Sequence, residues 1–391
     1  MSTSPSHPTV LITSATGTQG TALISALASL SLPISIRALV RDPSSPKPLA
    51  LLGLSNAHTS IVLIKGNFSS PTSLASALAP DEDGEVVDAV FLNTNPTFGD
   101  PEEEVRHAMS VLEAAREKRV RHVVYTSVIG VADAEVWERI GEKPGWVNTE
   151  AMTLLRAADG PGIEAVRRRS QLLTEEGNKV EGGITRDLLR GYFGAKMSIE
   201  GLIKTWGGTG TGEEEKTWNI LRPAWFMTNF LPPANANYWP DLTPSNPVLR
   251  SAILPDMRMM LVDPEDIRAV AARALLSPFA HAFAPSLVKQ TINIGSQALT
   301  LTEIAQTLSK TTGIEVKSEF VNEAEAAKEI REGNVQRDAQ AWFATLQDCF
   351  EPGELFQLIG REPKTFSEYL EGRKQELQSF LDSDGRKNRD E

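Results

Sequence analysis

Tyr192 and Lys196 stand four residues apart in Tyr192-Phe193-Gly194-Ala195-Lys196, the spacing that places two side chains on one face of a helix. An ammonium beside a phenol stabilises the phenolate and brings the tyrosine proton into use as an acid or base near neutrality. The same ammonium can bond a ribose hydroxyl. Ser127 is the hydroxyl that would complete such a site, since it ends the run Val123-Val124-Tyr125-Thr126-Ser127 and would orient a substrate carbonyl there. Taken alone, Ser127 reads equally well as a helix or turn cap.

A second chemistry-bearing segment is Val10-Leu11-Ile12-Thr13-Ser14-Ala15-Thr16-Gly17-Thr18-Gln19-Gly20, in which a strand runs into a small-residue turn and then a helix. Backbone N–H groups and the positive end of a helix dipole make such a turn a seat for pyrophosphate, so Thr13, Ser14, Thr16, Gly17, Thr18, Gln19 and Gly20 are expected at a dinucleotide. Gly17 would face the phosphates and Gly20 would let the helix approach the strand. The next strand ends in Arg37-Ala38-Leu39-Val40-Arg41-Asp42. An arginine at that end neutralises the 2'-phosphate of NADP, whereas an acid bonds the 2'-hydroxyl of NAD. Arg41, with Arg37 on the same side-chain parity, favours NADP(H). The alternative reading gives the NAD hydroxyl to Asp42.

These residues must be positioned by strands and helices in alternation. Short β-branched runs at 9–13, 34–40, 61–65, 87–92, 120–126 and 217–223 are separated by helix-length segments at 18–31, 71–79, 102–118 and 184–205, the pattern of a doubly wound parallel sheet. Prolines at 223, 232, 233, 240, 244, 247 and 255 then predict loops and extended chain on the substrate side. Asp263-Pro264-Glu265-Asp266 opens a helix with Ile267, Val270, Ala271 and Ala274 on its core face. A strand at 290–294, a helix at 302–311 and another at 364–382 follow. The expected organisation is a Rossmann-type NAD(P)-binding domain over 1–230, interrupted by a charged insertion at 131–190, a mixed α+β region over 231–383 that includes returning Rossmann elements, and a tail at 384–391. The insertion reads as a surface excursion or as a lid.

Substrate contacts are expected from the carboxyl ends of the strands: Asn93, Asn95 and Phe98 after the fourth, and Trp225, Phe226, Met227 and Phe230 after the sixth. Such a lining is apolar with few polar groups and suits an uncharged small molecule. The competing reading is that the aromatics pack a domain junction.

Composition bounds the rest. The 391 residues are 41% hydrophobic, enough for a sizeable core, and the formal charge of −12 opposes nucleic acid and anionic membranes as partners. One cysteine, Cys349, excludes a disulfide framework within the chain and suits a reducing cytoplasm. The five histidines show no metal-ligand spacing, and no targeting or membrane segment is legible. Nothing in the periodicity sets the oligomeric state.

Several of these segments, in order, resemble the NmrA-like branch of atypical short-chain dehydrogenases, related to isoflavone reductase-like proteins. Thr13 to Gly20 is similar to the family's T-G-A-T-G-x-x-G turn, Arg37 to Arg41 to its R-A-L-x-R, Gly66-Asn67 to its G-D, and Phe91 to Pro96 to its fourth-strand segment. Tyr192 to Glu200 resembles Y-x-x-S-K-x-x-x-E, Leu221 to Phe230 resembles L-R-P-x-x-F-M-x-N-F, and Gly360 to Phe366 resembles G-x-x-P-x-T-F. The chain departs from the family at Ser14, which replaces the first glycine of the turn, and at 131–190. The resemblance implies a Rossmann fold, NADP binding with Asn67, Asn93 and Pro223 among the cofactor contacts, and in some members reduction of small metabolites. Other members bind dinucleotide without turnover and act as redox sensors for a protein partner. The expected activity is reduction of a carbonyl, imine or activated double bond of a small, secondary metabolite. Tyr192 would donate the proton, Lys196 would tune it and hold ribose, and Ser127 would place the acceptor. A catalytically silent sensor is the competing class, and an epimerase-type use of the tyrosine a third.

Overall fold

The computed structural model describes residues 7–82, 84–96, 100–129, 131, 184–206, 216–253, 255–279, 287–331 and 355–382. Its strands are β1 (Thr9–Ile12), β2 (Ile34–Val40), β3 (Thr59–Lys65), β4 (Ala89–Leu92), β5 (His122–Thr126), β6 (Thr217–Pro223), β7 (Trp225–Phe226), β8 (Val248–Ser251), β9 (Arg258–Val262), β10 (Gln290–Ile294), β11 (Gln297–Thr300) and β12 (Lys317–Phe320). The helices are α1 (Thr18–Ser29), α2 (Pro46–Leu52), α3 (Pro71–Ala77), α4 (Pro101–Glu117), α5 (Ile184–Trp206), α6 (Asn235–Tyr238), α7 (Pro264–Leu276), α8 (Leu301–Thr312), α9 (Glu323–Arg331), α10 (Leu355–Ile359), α11 (Phe366–Glu371) and α12 (Lys374–Leu381).

The chain divides into two compact units that exchange it several times. One comprises Met1–Val128, Tyr192–Arg222 and Glu265–Asn293, and the other Ile129–Gly191, Pro223–Pro264 and Ile294–Glu391. The first unit carries a seven-stranded sheet in the order β10-β6-β5-β4-β1-β2-β3. Strands β3, β2, β1, β4, β5 and β6 run parallel. The inner strands β1, β4 and β5 are buried along their whole length, as in a sheet covered on both faces, whereas the edge strand β3 alternates buried and exposed positions at its start. The chain winds outward from β1 to β3, returns to β4, and winds the other way to β6. That reversal leaves the carboxyl ends of β1 and β4 as the place where ligands bind in such sheets. Leu11, Val90, Val123, Tyr125, Ile199, Ile203 and Ile220 belong to one core cluster of this unit.

Local signals account for the helix starts. Pro101 opens α4 behind Asp100, whose carboxylate accepts from the Glu103 N–H, and three glutamates occupy the first turn where the helix dipole favours them. Helix α7 begins at Pro264 and buries Ile267, Val270, Ala271 and Ala274, the face expected for it.

The second unit holds a three-stranded sheet, β11-β9-β7, and a two-stranded one, β12-β8. Its core gathers Trp225, Met227, Phe230, Trp239, Leu261, Ile304 and Phe366. Thr300 and Glu303 form a reciprocal cap on α8, which ends at Gly313 in the left-handed region. The proline-rich stretch contains short elements, among them a 3-10 turn at Met227–Phe230. The single helix expected over 364–382 is two helices, α11 and α12, parted at Gly372 and Arg373. Gly372 keeps helical angles, φ −67° and ψ −13°, and the chain leaves them at Arg373, φ −124° and ψ 12°.

Candidate active site

The turn after β1, where the dinucleotide is expected, is tightly built. Gly20 lies so close to the preceding chain that a β-carbon would meet the Ser14 carbonyl oxygen at 2.4 Å and the Ala15 Cα at 2.8 Å. Only glycine permits that approach. Gly17 and Thr18 are exposed at the start of α1, which has neither a side-chain cap nor an acid in its first turn, so its leading N–H groups remain available. Ser14 adopts φ 47°, the left-handed region where the family places glycine, and its hydroxyl donates to the Asn93 carbonyl at 2.8 Å. The buried Thr13 hydroxyl donates to the Phe91 carbonyl at 3.0 Å and accepts from the Asn93 N–H at 2.8 Å. Asn93 thus ties the ends of β1 and β4 together through its backbone. Thr126, at the end of β5, donates its hydroxyl to the Gln19 side-chain oxygen at 2.7 Å. Thr126 was not legible as a site residue, because a threonine closing a strand carries no signal of its partner.

At the end of β2, Arg41 is exposed, while Asp42 is engaged with its own turn. The Asp42 carboxylate accepts from the Ser44 hydroxyl at 2.6 Å and the Ser44 N–H at 3.0 Å, and these bonds to the charged form hold its pKa below the ordinary carboxylate range. Arg37 corrects the expectation that it joins Arg41 at the cofactor. Its side chain is buried, and its guanidinium donates to the carbonyls of Ala77, Ala79 and Glu85 and pairs with Asp81. It clamps the end of α3 and the loop that follows it to β2.

The residues expected to move the proton, Tyr192 and Lys196, lie on α5. Lys196 is 4% exposed, and its Nζ sits 5.7 Å from the centre of the Tyr192 ring and 5.5 Å from that of the Tyr125 ring. The four-residue spacing therefore brings the phenol and the ammonium together. Lys196 Nζ also meets Glu104 Oε1 at 2.8 Å, and Glu104 is 1% exposed. The buried Thr94 hydroxyl donates to the same Oε1 at 2.6 Å. Tyr125 is fully buried; burial first, then the charges of Glu104 and Glu200, push its phenol well above the ordinary range, so it stays neutral. Ser127, two residues beyond Tyr125, is 5% exposed and its hydroxyl has no hydrogen-bond partner among the described residues. Its N–H donates to the Leu221 carbonyl at 2.7 Å, which fixes the backbone at the end of β5. Glu200, four residues beyond Lys196, takes both arms of Arg222 in a buried pair and locks α5 to β6. Glu104 escaped the sequence reading, since one acid in Glu102-Glu103-Glu104 looks like an ordinary helix start.

The other expected contacts are dispersed. Asn67 is exposed, with its side-chain oxygen accepting from the Ser69 N–H at 2.6 Å, and Asn95 is exposed. In the second unit, Pro223 is buried and accepts from the Ile129 N–H. Trp225 packs edge-on to Tyr238 and Trp239, and Phe226 is half-buried beside it. Met227 is fully buried in the core of that unit, which corrects its assignment to a substrate surface. Phe230 is equally buried, stacked on Trp239 at 5.3 Å. Phe98, Cys349, the tail and all of 131–190 apart from Val131 and the start of α5 lie outside the described residues. Among the described residues no helix is long and apolar enough to cross a membrane, and no group of three or more His, Cys, Asp or Glu could hold a metal ion.

Comparison with known proteins bears on the cofactor. An NAD(P)H-binding family model matches residues 14–173. Agroclavine dehydrogenase of Claviceps fusiformis is 27% identical over 168 residues, 41% of this chain and 55% of that protein, so the chain spans about half the length of that curated relative. Among solved structures, the NADPH-dependent quinone oxidoreductase of Escherichia coli in complex with NADPH superposes with a TM-score of 0.60 at 20% identity, over 93% of this chain and 99% of that one. NmrA, a negative transcriptional regulator, in complex with NADP gives 0.58 at 15% identity, over 98% of both chains. These likenesses establish the fold. The chain carries an NAD(P)H-binding domain.

Proposed function

We propose that the protein is an NADP-dependent reductase of the atypical short-chain type, acting on a carbonyl, imine or activated double bond of a small, uncharged metabolite. The observation that carries this reading is the Tyr192–Lys196 pair, a phenol and a buried ammonium on one face of α5, with the ammonium also against Tyr125 on the strand that leads into Ser127. A protein that only sensed the dinucleotide would need the turn after β1 and would have no use for a proton donor beside a buried lysine. The glycine-lined turn and the open N–H groups of α1 fit a pyrophosphate, and exposed Arg41 fits a 2'-phosphate better than Asp42, which is bonded to Ser44, fits a hydroxyl.

NADPH, when bound, supplies hydride to the substrate. The chain's own residues do the rest. Tyr192 Oη delivers a proton to the heteroatom or carbon that gains electron density, and the positive charge of Lys196 favours the phenolate left behind. Ser127 Oγ, buried and uncommitted, orients the acceptor by donating a hydrogen bond. An unpaired buried hydroxyl costs about 1–3 kcal/mol, a cost that such a bond would relieve.

The test is NADPH consumption against carbonyl, imine and enone libraries, followed by Tyr192→Phe. The variant should keep NADPH affinity and lose about 10²- to 10⁴-fold in kcat, because the ring still fills its space while the transferable proton is gone. Unchanged kcat in Tyr192→Phe would remove the proton-donor role. Tight NADPH binding with no turnover of any library member would favour a non-catalytic sensor.

A further inference from the structure

We infer that Glu104 is a positioning residue for Lys196, so that the lysine works as one half of a buried ion pair anchored on α4. This rests on the proposed reading that Lys196 holds the cofactor ribose and tunes Tyr192. The first observation is burial: at 1% and 4% exposure neither charge has water to lean on, and each depends on the other for compensation. The second is direction. Lysine is a point charge on a flexible four-carbon stem, so its backbone position on α5 does not by itself fix where that charge lies. Glu104 Oε1 fixes it at 2.8 Å, and the Thr94 hydroxyl at 2.6 Å fixes Oε1 in turn.

The third observation is the shape of what surrounds the ammonium. The rings of Tyr125 and Tyr192 stand at 5.5 Å and 5.7 Å from Nζ, so two aromatic rings and one carboxylate hold it. An ammonium has three N–H donors, and Glu104 takes one in a charge-assisted bond. The donors left over are then aimed rather than free to rotate among solvent positions, which is the arrangement a ribose hydroxyl requires. Asp100 with Pro101 starts helix α4, which puts Glu104 one turn in. Of the three consecutive glutamates, Glu102 is exposed, Glu103 is half-buried and Glu104 alone turns inward.

A double-mutant cycle on NADPH affinity, read by fluorescence titration, separates a positioning role from a merely structural one. Lys196→Met should weaken NADPH binding, and Glu104→Gln, which keeps volume and removes charge, should weaken it by about tenfold in the native background. In the Lys196→Met background Glu104→Gln should change NADPH affinity by less than about twofold, because there is no ammonium left to position. Equal weakening in both backgrounds would make Glu104 a structural residue and overturn the inference. So would full NADPH affinity in Glu104→Gln while Lys196→Met is impaired. If Lys196→Met itself binds NADPH normally, the fault lies with the ribose-holding role of Lys196 in the proposed function. Should Glu104→Gln fail to fold, Glu104→Asp retains the charge and retracts it by one methylene. The same cycle then applies, with loss of affinity in the native background and none beside Lys196→Met as the supporting result.

Discussion

Ser14 shows how one residue can satisfy a backbone that favours another. At φ 47° a β-carbon is costly, yet serine offers a hydroxyl that bonds the Asn93 carbonyl at 2.8 Å and so offsets part of the strain. Gly20 has no such freedom, since the obstruction is backbone at 2.4 Å. Arg41 stands at the other extreme, an exposed side chain whose value depends on a ligand. Arg41→Ala should cost about tenfold in NADPH affinity with NADH affinity unchanged, because the charge-assisted bonds to the 2'-phosphate are lost and no ribose contact is. Parallel titrations check it. Equal affinities for the two dinucleotides in the native protein would take Arg41 out of the site.

At the scale of elements, two buried side chains hold the first unit together without touching the chemistry. Arg37 joins β2 to the end of α3 and to Glu85. Arg37→Met should therefore cost about 3 kcal/mol in urea unfolding by stranding the carbonyls of Ala77, Ala79 and Glu85, while the NADPH preference over NADH stays as it was. His122 joins β5 to β6 through Thr217 and to α7 through the Ala274 carbonyl at 3.0 Å, so the proton of the neutral ring lies on Nε2. Burial pushes this imidazole down to about 4, against the two hydrogen bonds that pull it up. In the unfolded chain it titrates near 6.5, about the value for an unperturbed histidine. Above that pH both states are neutral and His122 makes no difference. As the pH falls from 6.5 toward 4 the unfolded chain gains a proton that the native ring refuses, and stability drops by roughly 3 kcal/mol across the window. Urea midpoints from pH 4 to 7 should show this slope in the native protein, and His122→Gln should flatten it.

Over the whole molecule, a formal charge of −12 surrounds a site meant for an anion. Net charge then offers NADPH no long-range attraction, so on the proposed reading local groups would hold it: the turn N–H groups, the dipole of α1 and Arg41. The exposed Arg41 is open to screening, with a Debye length of about 10 Å at 0.1 M salt, whereas backbone N–H contacts at the turn are not lost in this way. The ratio of NADPH to NADH affinity should fall as salt rises from about 0.02 M to about 0.5 M, and Arg41→Ala should abolish that dependence. A ratio that is flat in the native protein would place the discrimination in a buried group instead.

Much of this was legible in the amino acids. Strands at 34–40, 217–223 and 290–294 fall where β-branched runs predict them: the inner strand 34–40 is buried along almost its whole length, while 290–294 at the sheet edge is buried only at Ile292 and Ile294. The turn after β1 was equally readable, since small residues between a strand and a helix permit the close approach that bulkier ones would block. So was the Tyr192–Lys196 neighbourhood, which follows from helical pitch alone. What remained hidden depends on contacts between residues distant in sequence. Arg37 and Arg41 share parity on one strand, and only the packing of α3 against β2 separates a clamp from a ligand group. Met227 sits in a motif beside half-buried Phe226, yet the core of the second unit claims it. Glu104 is one of three identical neighbours, and it matters because α4 turns it toward a lysine 92 positions further along the chain. Local spacing fixes periodicity and turns, whereas the choice of buried partner is made when separate elements close over the same volume.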